Sequence, residues 1–314
     1  MPLDLGFSIY PDGKIELDAE AKRVNLAEVE RIKPYFDGSG TADIRVHAAL
    51  DHGRLDTNLT LDVRGVTYQG VALKNAHLTA GAKGSLDKVD QLALDARLTG
   101  KQLTAGRFAF ADVSATARGP LRSPVVSTTL KDPNGPSLDA RATVALGNPV
   151  SMRAITVGVS RDNVEIRGDV ARLDVSDDRV LVSDLKLYGA SGELRGNAEI
   201  TPGAFSVSAQ GQNLDLSAFS RVLGLPRGLL EGRASVKVDA AAGNRTERGT
   251  LERSVSKASV ANLSGISGQL SAQLDGRHLT GSSGGNIEGL GAFSADWDTE
   301  LAGPPTAQSS FEHA

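Results

Sequence analysis

The sequence predicts a mainly β protein, a long and repetitive array of antiparallel strands with two short helices. Three observations carry this. Apolar and charged residues alternate at period two in segment after segment. Glycine is abundant, at 35 of 314 residues, against a usual share of ~7%. One helix-then-strand segment also recurs about 190 residues further along, and a chain that repeats a module usually works through surface rather than through one pocket.

The first copy reads Val24-Asn25-Leu26-Ala27-Glu28-Val29-Glu30-Arg31-Ile32 and then, past Gly38 and Gly40, Ala42-Asp43-Ile44-Arg45-Val46. The second reads Leu214-Asp215-Leu216-Ser217-Ala218-Phe219-Ser220-Arg221-Val222 and then, past Gly228 and Gly232, Ala234-Ser235-Val236-Lys237-Val238. Leu26 answers to Leu216, Val29 to Phe219 and Ile32 to Val222. Asn25 can cap a helix over 26–32, with Glu28 in the reciprocal position of a capping box. Asp215 can cap a helix over 216–223, which Gly224 and Pro226 stop. Both are about two turns long, too short to stand without a sheet to pack on.

The strands come from alternation. In Val164-Glu165-Ile166-Arg167-Gly168-Asp169-Val170 one face is apolar and the other charged. Leu59–Val63, Leu92–Leu98, Leu194–Ile200, Ala234–Val238 and Leu270–Leu274 read the same way. Each template runs five to seven residues between Gly, Asp, Asn or Pro, and about twenty such half-buried antiparallel strands are expected. A shorter recurrence places Asn or Asp before an apolar residue at Asn75, Asp112, Asp184 and Asn262. It reads as a turn marker in a unit of 36 to 39 residues that holds three or four short strands. The domain reading is a single elongated repetitive region over 1–302, with modules restarting near 24 and 214, and a disordered tail over 303–314.

Composition excludes several functions. Net charge is −4 with both signs interspersed, so no basic stripe awaits nucleic acid, and aromatics at 4% give no base-stacking platform. The absence of cysteine removes disulfides, thiolate metal sites and a cysteine nucleophile. Residues 1–20 carry Asp4, Asp12, Glu16 and Asp18 and lack the apolar stretch of a signal peptide. No run approaches the ~18 apolar residues of a membrane span.

Chemical motifs are weak. Ser254-Val255-Ser256-Lys257 has the Ser-x-x-Lys spacing of serine penicillin-recognising enzymes, but its partner motifs are missing and the segment reads as a strand. His47, Asp51 and His52 read as a surface cluster, and Asp174, Asp177 and Asp178 as a solvated turn without a calcium ladder. Gly281-Ser282-Ser283-Gly284-Gly285-Asn286 reads as a flexible loop. The chain is therefore expected not to be an enzyme, and no catalytic residue, metal or cofactor is assigned. The apolar strand faces are the remaining candidate surface. Their residues are Ile44, Val46, Leu59, Leu61, Leu92, Leu94, Val164, Ile166, Leu194, Ile200, Val236, Val238, Leu270 and Leu274. Two short helices cannot cover that area, which leaves two arrangements open: a dry sandwich, or a trough that something else fills.

At this point the chain resembles the AsmA-like/TamB-like family of envelope proteins of diderm bacteria. The residues that carry the resemblance are Asn213-Leu214-Asp215-Leu216-Ser217 and the turn-strand Gly228-Leu229-Leu230-Glu231-Gly232-Arg233-Ala234-Ser235-Val236-Lys237-Val238. Ala117-Arg118-Gly119-Pro120-Leu121-Arg122-Ser123-Pro124 and Val182-Ser183-Asp184-Leu185-Lys186-Leu187-Tyr188-Gly189, followed by Gly192-Glu193-Leu194-Arg195-Gly196, belong with them. The resemblance spans about residues 5 to 300. It implies a long twisted sheet curved into an open U-shaped groove, a β-taco, whose apolar face conducts phospholipid acyl chains across the periplasm. It also implies an inner-membrane anchor helix absent from this stretch, so that the chain is an internal fragment. An outer-membrane barrel protein is a further implied partner, reached by strand addition in an assembly factor. A structural or adhesive surface β-repeat is the remaining alternative.

Overall fold

The computed structural model describes residues 3–29, 38–68, 70–106, 108–132, 135–189, 192–222, 224–226, 229–243, 246–260 and 263–300. The protein is mainly β and antiparallel, as the alternation predicts. Its contacts cluster into two units, Met1–Leu146 and Gly147–Ala314.

The first unit holds β1 (Leu3–Ile9), β2 (Ile15–Asn25), β3 (Gly38–Asp51), β4 (Arg54–Tyr68), β5 (Val71–Ser85), β6 (Ala93–Ala105), β7 (Phe108–Pro120), β8 (Val125–Lys131) and β9 (Ser137–Ala145). The second holds β10 (Val150–Arg161), β11 (Val164–Val175), β12 (Val180–Gly189), β13 (Glu193–Thr201), β14 (Ala204–Asp215), β15 (Leu230–Gly243), β16 (Thr246–Val260), β17 (Leu263–Asp275), β18 (His278–Ile287) and β19 (Gly291–Glu300), with helix α1 (Leu216–Val222) between β14 and β15. Within each unit every strand pairs antiparallel with the next in chain order. Among the described residues no pairing closes either set into a barrel.

The strands run 7 to 15 residues, longer than the templates. The difference has a physical cause. Asn and Asp were expected in turns, but Asn75 and Asp112 sit inside β5 and β7, both opposite Lys101. Asp184 sits at a bulge in β12, at φ 52. The 37-residue spacing from Asn75 to Asp112 is therefore one hairpin of two long strands, not three or four short ones. Asn262 lies outside the described residues.

Bulges recur with one local design. Arg23, Asp184, Asn213 and Lys257 have φ of 53, 52, 53 and 49 within strands, a conformation that costs L-residues energy unless something holds it. In each case a side chain on the neighbouring strand accepts the backbone N–H. Asp43 Oδ1 takes that of Arg23 at 2.7 Å and Asn197 Oδ1 that of Asp184 at 2.8 Å. Ser235 Oγ takes that of Asn213 and Ser267 Oγ that of Lys257, both at 3.2 Å. The extra residue turns two successive side chains outward, so the apolar rhythm resumes beyond it with its phase restored. Ala21 and Val24, on either side of the Arg23 bulge, are consequently both buried.

These bulges explain the 190-residue recurrence. Each copy is a strand with a bulge at Arg23 or Asn213, an inward apolar residue at Val24 or Leu214, a cap at Asn25 or Asp215, a helical segment and a return strand. The return strand begins near a positive-φ glycine, Gly40 or Gly232. Asp215 Oδ1 accepts from the N–H groups of Ser217 and Ala218 at 2.9 and 3.2 Å, and Gly224 at φ 70 ends the helix as expected. The first copy differs from expectation. Among the described residues a 3-10 turn forms over Leu26–Glu28, and Glu28 accepts from the Asn25 side-chain amide at 2.8 Å rather than from its backbone. The rest of that expected helix, like the tail over 303–314, lies outside the described residues.

The glycine-rich stretch Gly281–Asn286 is no loop. It forms most of β18, and Phe293 and Trp297 of β19 lie over Gly285 and Gly281, where a Cβ would come within 2.9 and 2.6 Å of their rings. The glycines make room for these bulky aromatic side chains, and the rings in turn cover bare backbone.

Candidate functional site: the apolar sheet faces

Strand register places one apolar face across all nine strands of the first unit. Phe7 stands opposite Leu17, which stands opposite Ala48. Ile44 faces Leu61 and Val46 faces Leu59, and these face Leu78 and Ala80. The row continues through Leu98 and Ala96 to Ala115 and Ala117, then to Thr128 and Val126, and reaches Ala140 and Ala142 on β9. Leu94 lies in the same face, opposite Ala82 and Gly119.

The second unit has an equivalent face. Val157 and Val159 pair with Gly168 and Ile166, then Leu187 with Leu194 and Leu194 with Gly211. Val236 and Val238 follow on β15, and Leu270, Ala272 and Leu274 on β17. Arg253, between Val236 and Leu270, interrupts the row with a charge.

Little protein covers these faces. Among the described residues fourteen hydrophobic side chains are buried, and seven of them fall in two clusters. Ala21, Val24 and Ala42 pack with Leu26, Val29, Ile44, Leu61 and Val63 beneath the 3-10 turn. Val164 and Ile166 pack with Ala218, Val222, Phe219 and Val159 beneath α1. Away from them Val46, Leu59, Leu78, Leu94, Leu98, Leu194, Val236, Val238, Leu270 and Leu274 are only half-buried. Ile200 is 52% exposed, and Leu5, Phe7 and Ile9 on β1 are 64–69% exposed. In a sandwich with a dry core the central members of such rows are fully enclosed by the opposing sheet. Here side-chain neighbours within the same sheet supply what cover there is.

The fourteen sequence candidates therefore fall into four settings. Val46, Leu59, Leu94, Leu194, Ile200, Val236, Val238, Leu270 and Leu274 lie on uncovered sheet. Ile44 and Leu61 border the first cluster. Val164 and Ile166 lie under α1, and Leu92 is buried at the end of a 3-10 segment, Leu86–Gln91, against Gly84. Leu5, Phe7, Ile9, Leu78 and Leu138 were not among the candidates, and strand register places them on the same surface with Leu98.

The opposite faces are polar and held by cross-strand ion pairs and Asp–His hydrogen bonds. Asp18–His47, Asp62–His77, Glu20–Arg45, Asp56–Lys83 and Lys101–Asp112 join residues directly opposite one another. Such exposed pairs contribute little energy each but penalise a register slip. His47 and Asp18 are 2.8 Å apart; His52 occupies the β3–β4 turn as expected, while Asp51 is the last residue of β3, paired with Arg54. Asp174 departs from the solvated turn it was assigned to. It lies in β11, nearly enclosed by its neighbours, where Arg172 at 2.6 Å and the Ser151 hydroxyl hold its carboxyl below the usual range. Ser254 and Lys257 lie in β16, on a strand rather than at the helix start their motif requires.

Shallow depressions of about 760 Å³ in the first unit and about 1000 Å³ in the second open on these polar faces. Asp62, His77, Lys101 and Asp112 line the first; Gln210, Ser235, Lys237 and Ser271 line the second. A twisted sheet is a saddle, hollow along one diagonal of either face, so these hollows follow from twist. Among the described residues no three His, Asp or Glu gather as a metal site, and no helix is long and apolar enough to cross a membrane. Comparison with family models, with curated proteins and with solved structures finds no match to this chain.

Proposed function

We propose that this chain is a lipid-carrying segment of a diderm envelope protein, with phospholipid acyl chains lying along its apolar sheet faces between the inner and outer membranes. The observation that carries the reading is the register-aligned apolar row of the first unit, nine strands wide, with no second layer over most of it among the described residues of that unit. The cargo chemistry fits such a row. An acyl chain of ~16 carbons in water is disfavoured by about 12 kcal/mol, at ~0.8 kcal/mol per CH₂. A continuous apolar surface lowers that barrier without any specific polar contact, which accounts for the lack of a catalytic or ligand-binding motif. The resemblance to AsmA-like/TamB-like proteins supports the same reading, together with a periplasmic location and an inner-membrane anchor elsewhere in the protein.

The test is extraction of the purified chain and mass spectrometry of what it carries, paired with titration of a fluorescent phospholipid. Phospholipid in the extract and saturable binding are expected, with binding weakened by Leu59→Asp and Val238→Asp on uncovered sheet. A lipid-free extract and no binding would rule the reading out.

A further inference from the structure

Helix α1 occupies an unusual place in the second unit. It follows β14, yet its apolar side packs on β10 and β11, far back in strand order. Asp215, at the end of β14, fixes its first turn. Gly224, just past its last turn, lies against the Arg161 guanidinium at the end of β10. The helix thus runs across the ends of the intervening strands from β14 to β10. Seven residues at 1.5 Å each span about 10 Å, and β11 and β14 stand three strand spacings of ~4.8 Å apart. The sheet must curve toward its apolar side for so short a helix to reach.

What the helix covers is the apolar face itself. Val164 and Ile166, 6% and 8% exposed, continue the row that holds Leu187, Leu194 and Val236 in half-buried positions. Its hold is small: Ala218, Phe219 and Val222 are the helical side chains in the cluster. A two-turn helix has little stability of its own, so this packet, together with the contacts of α1 along β15, decides whether it stays down. The groups facing it are apolar, and an acyl chain offers Val164 and Ile166 the same kind of contact that the helix does.

We propose that α1 is a displaceable lid over the rim of the apolar face of the second unit, competing with acyl chains for Val164 and Ile166 and lifting when lipid loads. The proposal rests on the lipid-carrying reading and adds to it a specific moving part.

The native chain has no cysteine, so single thiols report without interference. Val164→Cys lies under the lid, Val222→Cys on its underside and Val238→Cys on uncovered sheet. Each variant is treated with a maleimide, with and without phosphatidylcholine vesicles. The expected result is faster labelling at 222 with vesicles, by about tenfold as a minor open state becomes dominant, with slower labelling at 238 and no gain at 164, which passes from helix to acyl chain. Protection at 238 with no change at 222 would overturn the lid and leave lipid binding standing, and faster labelling at 164 as well would overturn the competition for that site. No change at either 222 or 238 would overturn both. Circular dichroism matching the parent chain establishes that each variant is folded, and agreement between 222 and Ala218→Cys, also on the underside, guards against a local effect of either substitution.

Discussion

Leu59→Ala separates an open sheet face from a sealed core by magnitude alone. The substitution removes three carbons, worth about 2.4 kcal/mol at ~0.8 kcal/mol each if fully buried. Leu59 is partly buried between Val46 and Ala80, so most but not all of that, roughly 1.5–2 kcal/mol, is at stake. No cavity forms, because nothing stands on the other side, and the additional cavity cost that brings buried Leu→Ala to 2–5 kcal/mol is missing. Ile166→Ala is the internal control. Its side chain lies under α1 at 8% exposure, and a loss of about 2–4 kcal/mol is expected there. Urea unfolding followed by far-ultraviolet circular dichroism measures both, with slopes compared as well as midpoints, since long repetitive sheets can lose two-state behaviour. A loss of 3 kcal/mol or more at Leu59, equal to that at Ile166 by this reckoning, would mean that the face is sealed and the argument for an open apolar surface is wrong.

Other expectations follow from single contacts. Asp43→Ala strips the acceptor from the Arg23 N–H at the β2 bulge and should cost about 1–2 kcal/mol in urea unfolding, with Asp43→Asn losing less because an oxygen acceptor remains; equal losses would refute the anchoring role. Ser235→Ala at the matching bulge of the second unit should cost about 1 kcal/mol. Gly281→Ala drives a Cβ against the Trp297 ring and the Ser271 carbonyl and should destabilise by about 1–3 kcal/mol, part of it relieved in a Trp297→Ala background; full stability and unchanged tryptophan fluorescence would show that the segment is not packed strand. Burial pushes the Asp215 carboxyl up, but the Ser217 hydroxyl and the N–H groups of Ala218 and Ser217 outweigh it, leaving the folded group below its ordinary value. The capping contribution is therefore complete above about pH 4 and fades as acid protonates the folded carboxyl. Asp215→Ala should cost about 1 kcal/mol at neutral pH and remove this pH dependence, and a variant that keeps the same acid slope would place its source elsewhere.

Alternation is a local property, and it was readable. Val164–Val170, Ala234–Val238 and Leu270–Leu274 all lie in strands with the expected side inward, because a period of two assigns faces before any partner is known. The second helix was equally readable from Asp215, Gly224 and Pro226, since its cap and its stop lie within the helix's own reach. Strand lengths were less so. Asp184 carries the chemistry of a turn residue, and only its neighbour Asn197 converts a would-be turn into a bulge inside a continuous strand. Gly281–Asn286 misled for a related reason: the Phe293 and Trp297 rings that fill the space over those glycines come from another strand.

The sequence alone determined that this chain forms long antiparallel strands with one oily and one charged side, and that a module of strand, cap, helix and strand occurs twice. Both follow from periodicity and capping, which act over a few residues. Tertiary structure decided how much of the oily side stays uncovered. Whether Leu59 is only partly buried while Ile166 lies under a helix depends on how far each sheet curves and where α1 lands. Curvature accumulates from small twists and bulge angles over many strands, and no short stretch of residues records that sum.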